Sequence, residues 1–328
     1  MLFRSNDEER TVVVICGPTA VGKTKYAIET AKAIDGEIVS CDSMQIYKYM
    51  DIGSAKPSKE ELSEVRHHLV DKIDPRKYFS VATYCEMAKR VIEDIFARGK
   101  IPVVAGGTGL YLNSLLYDMD FAAPPQDALG YREKLYAIAS RRGAEYLHAK
   151  LAKIDAVAAE RIHPNNIKKV VRAIEAAEFG EGIDDFSQKP TITKDYYSIK
   201  ICLNRNREEL YARIDHRVDQ LMEAGLEEEV KSLMDSGLSA DDISMKGIGY
   251  KELIAYFNGE YDREEAIRLI KRNSRHLAKR QLTWFKRYDD MNWFNISEFE
   301  NDSVCIGEIL RRIGDELGGS RSRSRKPG

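Results

Sequence analysis

The sequence predicts an α/β protein: a P-loop NTPase-like core built on a parallel sheet, with a mostly helical insertion and C-terminal helices. Three observations support this fold class. A β-branched apolar run at 11–16 has the composition of a buried parallel strand and is followed at once by a glycine-rich phosphate-loop motif. Strand-like and helix-like segments then alternate up to residue 109. The 328 residues exceed one ordinary domain, and 43% of them are hydrophobic, which excludes a wholly disordered chain.

The predicted elements follow one another in an order typical of a doubly wound sheet. After the first strand we expect a helix, a strand, a helix and a strand at 23–33, 37–41, 82–98 and 100–105. A further strand at 197–203 should return the chain to the sheet, and long helices should cover 207–236 and 263–287. Between these two halves lies a segment rich in Ala, Leu, Lys and Glu, which predicts a helical insertion.

Four regions are predicted from these patterns. The charged residues 1–10 form an N-terminal extension, and 11–117 together with 200–317 form the core. The insertion covers 118–199. Residues 318–328 are rich in Gly, Ser and Arg, so they predict a disordered basic tail.

Charge and cysteine content exclude several classes of protein. The net charge of −2 means that nucleic-acid binding would need a local basic surface. Five Cys without a C-x-x-C pair indicate neither a disulfide framework nor a zinc ribbon. Neither a signal peptide nor a run of about 20 apolar residues is evident. We therefore expect a cytoplasmic protein without a membrane role. A monomer is expected as well.

A phosphate-binding loop follows the first strand. Its sequence matches G-x-x-x-x-G-K-[ST] and lies between a predicted strand and a predicted helix, as the mechanism of such loops requires. Backbone N–H groups and the helix N-terminus would surround phosphate oxygens, Lys23 would add a positive charge, and the Thr24 hydroxyl would bind Mg²⁺. The diphosphate-binding residues are predicted to be Gly17, Pro18, Thr19, Ala20, Val21, Gly22, Lys23 and Thr24.

An acidic residue follows the second strand. Asp42 should lie at the carboxyl edge of the sheet, where open α/β folds bind their ligands. It is either a metal ligand or a general base, and a turn or helix-capping role stays open. The strand ending at 105 is followed by Gly-Gly-Thr-Gly instead of the Asp that an ATP-hydrolysing enzyme usually places there. Of the adjacent His67 and His68, we expect one at the site and one in a structural role.

The segment 266–288 contains eight Lys or Arg and no acid. On a helix, five of these cations would form one basic ridge suited to RNA phosphates, although a merely solvated face is the alternative. The ridge residues are Arg268, Arg272, Arg275, Lys279 and Lys286. An apolar stripe should lie on another side of the helix, formed by Ile267, Ile270, Leu277 and Trp284.

Several ordered motifs together resemble the tRNA isopentenyltransferase family, the tRNA dimethylallyltransferases, over roughly residues 11 to 290. After the phosphate loop these are Asp42-Ser-Met-Gln-Ile-Tyr, Gly53-Ser-Ala-Lys-Pro, His67-His-Leu, Gly106-Gly-Thr-Gly-Leu-Tyr, His163-Pro-Asn, Arg172-Ala-Ile-Glu, Arg213-Ile-Asp-His-Arg217-Val-Asp, Gly247-Ile-Gly-Tyr-Lys-Glu and Ala278-Lys-Arg-Gln-Leu-Thr-Trp-Phe.

The resemblance implies transfer of a dimethylallyl group from dimethylallyl diphosphate to N6 of the adenosine immediately 3′ of the tRNA anticodon. The phosphate loop would then hold the leaving diphosphate, with Mg²⁺ at Thr24. Asp42 would accept the proton of the amine, and the Thr19 hydroxyl would position substrate. Lys23 and Arg217 complete the expected catalytic set, with Arg217 clamping the diphosphate and Arg213 a weaker candidate on the same face. An ion pair of Arg217 with Asp215 or Asp219 is the alternative.

The family motifs also imply residues that hold the anticodon stem-loop while the target base is extruded. The first group contains Asp42, Ser43, Met44 and Gln45, together with Thr108. The insertion would supply Arg132, Lys168, Lys169, Val170, Val171 and Arg172. The last group contains Gly247, Ile248, Gly249, Tyr250, Lys251 and Glu252. This chain has Asn166 and Lys169 where the family commonly has Asp and Arg, so position 169 keeps a charge without the bidentate geometry of Arg.

Three other functions stay open from the sequence. A kinase or NTPase with the same loop would bind ATP and turn over nucleotide. An adenylate isopentenyltransferase would prenylate a free nucleotide, and a non-catalytic RNA-binding protein would need no base at Asp42. The helical insertion, the Gly247–Glu252 block and the basic ridge favour tRNA as the substrate.

Overall fold

A six-stranded parallel sheet forms the centre of the computed structural model, which describes residues 10–119, 128–179 and 191–323. Its strands are β1 (Thr11–Cys16), β2 (Gly36–Cys41), β3 (His67–His68), β4 (Ile101–Gly106), β5 (Tyr197–Asn204) and β6 (Asn292–Asn295). They lie in the order β3-β2-β4-β1-β5-β6, and every neighbouring pair is parallel. The expected α/β fold with a parallel sheet is confirmed.

The central strands are buried because helices cover both faces of the sheet. All six residues of β1 are buried, which explains its run of β-branched side chains. Val13 lies opposite Val103 of β4 and Ile199 of β5. At the carboxyl edge β2 and β4 approach so closely that a Cβ on Gly106 would lie 2.0 Å from the Cys41 carbonyl oxygen. Only glycine fits there, so the two loops that leave these strands start side by side.

Thirteen α-helices surround the sheet or form the insertion in the described residues. Before the insertion these are α1 (Lys23–Ala33), α2 (Lys59–Glu64), α3 (Val81–Ala97) and α4 (Gly109–Leu116). The insertion contains α5 (Ala128–Arg142), α6 (Ala144–Ile154), α7 (Ala156–Arg161) and α8 (Ile167–Phe179). The remaining helices are α9 (Arg207–Glu223), α10 (Leu226–Asp235), α11 (Tyr250–Phe257), α12 (Arg263–Phe285) and α13 (Asp302–Arg323).

One long helix was expected over 207–236, and this prediction is wrong. The chain breaks between α9 and α10 at Gly225, whose φ of +99° belongs to the left-handed region that glycine tolerates best. The break makes α10 a separate helix.

The chain divides into two compact units, one made of Met1–Leu116 with Thr193–Gly328 and the other of Tyr117–Ile192. The insertion thus ends earlier than the predicted 199, because residues 197–199 already pair with 11–13 of β1. The second unit has its own apolar core, which includes Leu135, Leu147, Leu151, Val170 and Ile174. An antiparallel bridge between Tyr117 and Ile192 joins its two ends.

The two predicted termini are only partly described. Residues 1–9 of the expected extension lie outside the described residues, whereas the Arg10 carbonyl accepts a hydrogen bond from the Tyr197 N–H and so adjoins the sheet. A disordered tail was predicted from 318, but α13 continues to Arg323, and 324–328 lie outside the described residues. Within the described part of the chain, no helix has both the length and the hydropathy needed to span a membrane.

Candidate active site

The phosphate loop lies between β1 and α1, at the carboxyl edge of the sheet. Helix α1 begins at Lys23 and has no acidic residue in its first turn, so its positive end is not neutralised from within the helix. The Lys23 ammonium donates to the Pro18 carbonyl oxygen across the loop at 2.8 Å. The predicted strand, loop and helix are all found, and this geometry is suited to binding an anion.

Side chains from distant helices fix the shape of the loop. The Thr19 N–H donates to Oε1 of Gln281 on α12 at 2.8 Å, and Nε2 of Gln281 donates to the Gly107 carbonyl oxygen at 2.9 Å. Arg213 on α9 donates to the Ala20 carbonyl oxygen at 3.1 Å. The loop is therefore held in position from outside its own sequence. Sequence reasoning missed the role of Gln281, although a polar residue between the buried Ala278 and Phe285 is a usable signal.

Asp42 follows β2 and takes the turn role that the sequence left open, while its role as a base or metal ligand stays a prediction. Its Oδ1 accepts the backbone N–H of Met44 at 2.8 Å and that of Gln45 at 3.3 Å, which closes a turn. Its Oδ2 accepts no hydrogen bond from any described residue, and the carboxylate lines a cavity of about 40 Å³ that also contacts Lys23 and Thr24. One oxygen thus orders the loop while the other stays available to a ligand.

Three charges act on one another at this edge. Burial lowers the pKa of Lys23 to about 8, with the negative charge of Asp42 opposing the shift and the positive charge of Arg217 adding to it. Burial also lowers the pKa of Arg217, again opposed by Asp42. Since no ion pair joins these three groups in the described structure, their charges are held near one another and are not neutralised by direct contact.

Arg217 lines a second cavity of about 600 Å³, whose other basic residues are Lys56, Arg213 and His216. The alternative ion pairs of Arg217 are wrong, because Asp215 pairs with Arg275 and Asp219 pairs with Lys271 at 2.6 Å. Its guanidinium makes no hydrogen bond with the described residues. A second cation without an ion pair in the described structure thus lies near enough to Lys23 to influence its pKa.

The two adjacent histidines have different surroundings, as expected. His68 Nε2 lies 2.7 Å from Glu37 Oε2 and belongs to a structural cluster. His67 lines the smaller cavity, and its Nδ1 lies 2.8 Å from the Val65 carbonyl oxygen. Burial lowers the pKa of His67, which favours the neutral imidazole.

The residues available for Mg²⁺ are few. No group of three or more His, Cys, Asp or Glu side chains in the described chain is arranged to hold a metal. Thr24 and Asp42 line the same small cavity, and the Thr24 hydroxyl makes no hydrogen bond with the described residues. Mg²⁺ prefers oxygen ligands and commonly takes few of them from protein when phosphates supply the rest. These residues therefore fit a metal that arrives with a diphosphate.

The predicted RNA-binding residues near Asp42 come together in the first unit. Thr108 Oγ1 accepts the Ser43 N–H at 3.1 Å, so the loops after β2 and β4 are joined. Met44 lies against Gly247, where an added Cβ would come within 2.5 Å of its Cε. Tyr250 and Glu252 are 0% and 3% exposed, so these side chains support the Gly247–Glu252 block from inside.

Some of the predicted RNA-binding residues of the second unit make contacts inside the unit, and the others are exposed. Val170 and Val171 lie in its apolar core, and Glu175 binds Arg132 through two hydrogen bonds of 2.7 and 2.9 Å. Val170, Val171 and Arg132, three of the predicted residues, therefore make contacts within the unit itself. Direct RNA contact stays a prediction for the exposed residues, which are Lys168, Lys169 and Arg172.

The basic ridge on α12 is smaller than predicted. Arg275 pairs with Asp215 of α9, and Arg268 pairs with Glu265 one turn before it. Arg272, Lys279 and Lys286 stay exposed and form no ion pair within the described residues. The apolar stripe is also partly wrong: Ile270 is buried as expected, but its buried companions are Ala266, Ala278 and Phe285. Asp215 of the neighbouring helix α9, which sequence spacing does not reveal, pairs with Arg275, whereas Glu265 of α12 itself pairs with Arg268.

Comparisons with known proteins agree with this geometry. Residues 45–288 match the family model of the IPP transferases. The tRNA dimethylallyltransferase of Alkaliphilus oremlandii (strain OhILAs) is 50% identical over 302 residues, which cover 91% of this chain and 96% of that protein. The tRNA dimethylallyltransferase of Clostridioides difficile (strain 630) is 48% identical over 93% of this chain and 98% of its own length.

Two solved structures share the fold. The full-length tRNA isopentenylpyrophosphate transferase from Bacillus halodurans is 41% identical and superposes with a TM-score of 0.73, covering 97% of this chain and 100% of that one. A eukaryotic dimethylallyltransferase acting on tRNA is 25% identical, with a TM-score of 0.80 over 97% of this chain and 80% of its own. The resemblance seen in the sequence motifs is confirmed, and the chain belongs to the IPP transferase family.

Proposed function

We propose that this protein is a tRNA dimethylallyltransferase. It transfers a dimethylallyl group from dimethylallyl diphosphate to N6 of the adenosine immediately 3′ of the anticodon and releases diphosphate, in the cytoplasm. The observation that carries this assignment is the position of Asp42. Asp42, whose Oδ2 accepts no hydrogen bond from the described residues, lines the same cavity as Lys23 and Thr24, so a candidate base lies beside the candidate diphosphate-binding loop.

The chain's own residues account for both halves of the reaction. As the N6–carbon bond forms and the carbon–oxygen bond to diphosphate breaks, the amine loses a proton, and Asp42 Oδ2 accepts it. The departing diphosphate takes up negative charge, which Lys23, Arg217 and the backbone N–H groups of the loop stabilise. Mg²⁺ held at the Thr24 hydroxyl would neutralise part of that charge. The Thr19 hydroxyl, in the same loop, is assigned to position substrate.

The target adenosine is stacked inside an anticodon loop, so the base must be extruded to reach Asp42. The loop after β2 is the surface on which it would be received. Thr108 fixes this loop from one side, and the Gly247–Glu252 block packs against Met44 from the other. Both supports precede substrate binding. A pre-formed receiving loop lowers the cost of ordering the complex.

The test is transfer of label from dimethylallyl diphosphate, with Mg²⁺, to unmodified tRNA that carries adenosine 3′ of the anticodon. AMP and ATP are supplied in parallel reactions. Label in tRNA alone supports the assignment. Label in AMP alone would make the protein an adenylate isopentenyltransferase, and ATP hydrolysis without any transfer would contradict prenyl transfer altogether.

Asp42→Asn is the sharpest variant for this test. The Asn side chain keeps an oxygen that can accept the Met44 N–H, so the turn is preserved while the base is lost. We expect kcat to fall by roughly a thousandfold, within the range for general-base catalysis, and tRNA affinity to change by only a few-fold. Asp42→Ala removes the turn as well. If Asp42→Asn keeps wild-type kcat, Asp42 is a turn residue and another group accepts the proton.

A further inference from the structure

Glu229 on α10 forms an unusual cluster of hydrogen bonds away from the phosphate loop. Its Oε2 accepts the backbone N–H groups of Asp51 and Ile52, both at 2.7 Å. Its Oε1 accepts the Gly53 N–H at 3.0 Å and the Tyr250 hydroxyl at 2.8 Å. A carboxylate has about four acceptor positions, so this one is fully used. Successive N–H groups that converge in this way often bind an anion, and here the chain supplies that anion itself.

The loop held by Glu229 reaches the active site through Gln45. Two residues beyond Gly53, the Ala55 carbonyl oxygen accepts a hydrogen bond from Nε2 of Gln45 at 3.1 Å. Oε1 of the same amide accepts from the Ser40 hydroxyl at 3.2 Å. Both ends of the Gln45 amide are therefore fixed, and Gln45 lines the small cavity beside Asp42.

The rest of the loop connects the backbone that Glu229 holds to Ala55, so loss of the Glu229 contacts would change the position of the Ala55 carbonyl oxygen. Gly53 packs against the Tyr250 ring, where an added Cβ would come within 2.5 Å of ring atoms. The Ala55 N–H donates to the Ile52 carbonyl oxygen at 2.8 Å, which joins the held segment to the residue that contacts Gln45. Ile52 and Ala55 also line the 600 Å³ cavity that contains Arg217. No side-chain hydrogen bond other than those to Glu229 holds the backbone of 51–53 in the described structure.

We propose that Glu229 is a positioning residue for the transfer reaction, which holds the 51–53 backbone so that the Ala55 carbonyl oxygen orients Gln45 beside Asp42. The proposal rests on the proposed function, because Gln45 belongs to the loop that receives the target adenosine. A carboxylate is needed at 229 because every partner is a donor. An amide there would set its NH₂ group against backbone N–H groups and leave some of them unpaired.

Glu229→Gln is the test variant, and Glu228→Gln is its matched control. Glu228 is the neighbouring residue on α10, is exposed, and makes no hydrogen bond or ion pair with the described residues, so its substitution changes the charge equally. We expect Glu229→Gln to lower kcat/KM for tRNA by about tenfold. Glu228→Gln should leave it unchanged. Glu229→Asp, which keeps the carboxylate, should recover part of the loss.

A double-mutant cycle with Gln45→Ala separates positioning from general damage to the fold. If Glu229 acts through Gln45, Glu229→Gln should cost little in the Gln45→Ala background. Equal losses in both backgrounds, or no loss in either, would overturn the proposal. If the wild-type protein transfers no dimethylallyl group to tRNA, that result would instead contradict the proposed function.

Hydrogen exchange tests the contact itself without relying on activity. The amides of 51–53 should be protected in the wild-type protein and in Glu228→Gln, and should exchange at least about tenfold faster in Glu229→Gln. The core strand β1 serves as the internal reference and should not change. Unchanged exchange at 51–53 would contradict the positioning role even for a protein that transfers nothing.

Discussion

The two ends of strand β2 place acidic side chains in opposite settings. At its amino end, Glu37 is 6% exposed and is bound by the guanidinium of Arg98 and by His68 Nε2 at 2.7 Å. Just past its carboxyl end, Asp42 lies near Lys23 and Arg217 without an ion pair to either in the described structure. Four residues of strand, 38–41, thus separate a neutralised carboxylate from one that forms no ion pair.

This difference in pairing indicates a structural role for the amino edge of the sheet and a ligand-binding role for its carboxyl edge. Removing one partner of a buried, paired carboxylate is costly, because the remaining charge is left uncompensated. Charges that are brought close but left without direct partners are unfavourable until a ligand with complementary charge arrives. A diphosphate would pair with the two cations, and an amine would donate to the carboxylate. Substitutions at the two edges should therefore have opposite effects on activity and stability.

Of the substitutions that test this comparison, Arg217→Gln should have the largest effect on activity. Loss of the guanidinium removes a charge that would bind diphosphate, so we expect kcat/KM for dimethylallyl diphosphate to fall by about a hundredfold. The free energy of unfolding should stay the same or rise slightly, because a half-buried cation without an ion-pair partner is lost. Steady-state transfer assays and thermal unfolding measure the two quantities. Arg217→Lys keeps the charge but not the planar guanidinium, so its kcat/KM should lie between those of the wild-type protein and Arg217→Gln.

A result with the reverse pattern would break the comparison. If Arg217→Gln lowers the midpoint of unfolding by many degrees and leaves kcat/KM unchanged, Arg217 is a structural residue and the carboxyl edge is no different from the amino edge.

Features that depend on neighbours in the sequence were predictable. The β-branched run, the glycine-rich loop and Lys23 lie within one short segment, and local rules therefore locate strand, loop and helix start together. Asp42 could be placed at the carboxyl edge because it directly follows a strand. The insertion boundary at 199 was wrong because it divided the strand predicted at 197–203, whose first residues already pair with β1.

Features that depend on distant residues were not predictable. Gln281 reaches the phosphate loop from 262 positions away, and no local pattern connects it with Thr19. The basic ridge lost Arg275 because Asp215 happens to face it from α9. Likewise, the break between α9 and α10 places Glu229 beside the 51–53 backbone, which a continuous helix would not have suggested. Tertiary packing, and not propensity, decided each of these contacts.

Glu37→Gln should give the second-largest effect, and it should change the free energy of unfolding without changing activity. The variant keeps the shape but loses the charge that binds Arg98 and His68, and we expect a loss of about 2 kcal/mol, less than for a fully buried pair because Arg98 is partly exposed and also pairs with Asp94. Glu86→Gln is the control, since its pair with Arg90 is exposed and should matter by less than about 0.5 kcal/mol. Chemical denaturation measures both, and kcat should not change in either variant.

The same residue gives the pH dependence a definite sign. Burial raises the pKa of Glu37, but the hydrogen bonds and charges of Arg98 and His68 outweigh it and hold the pKa at about 2, below the ordinary value of 4.5. A depressed carboxyl pKa contributes stability above 4.5 that is lost as the pH falls through 2. The stability difference between wild type and Glu37→Gln should therefore shrink between pH 5 and pH 2. A difference that grows on acidification would contradict the pairing.

The smallest expected effect is a pH dependence at the carboxyl edge. Burial holds the pKa of Lys23 at about 8, so the ammonium is present below that pH and is lost as the pH rises through it. With tRNA saturating, kcat/KM for dimethylallyl diphosphate should fall above pH 8, by up to about tenfold per pH unit, because this ratio reports groups of the enzyme before the diphosphate binds. Lys23→Arg keeps its charge throughout this range, so its activity, though lower, should not show the same decline. If kcat/KM of Lys23→Arg declines above pH 8 in the same way, the decline comes from the titration of another group. Lys23 would then not be one of the charges that bind the diphosphate.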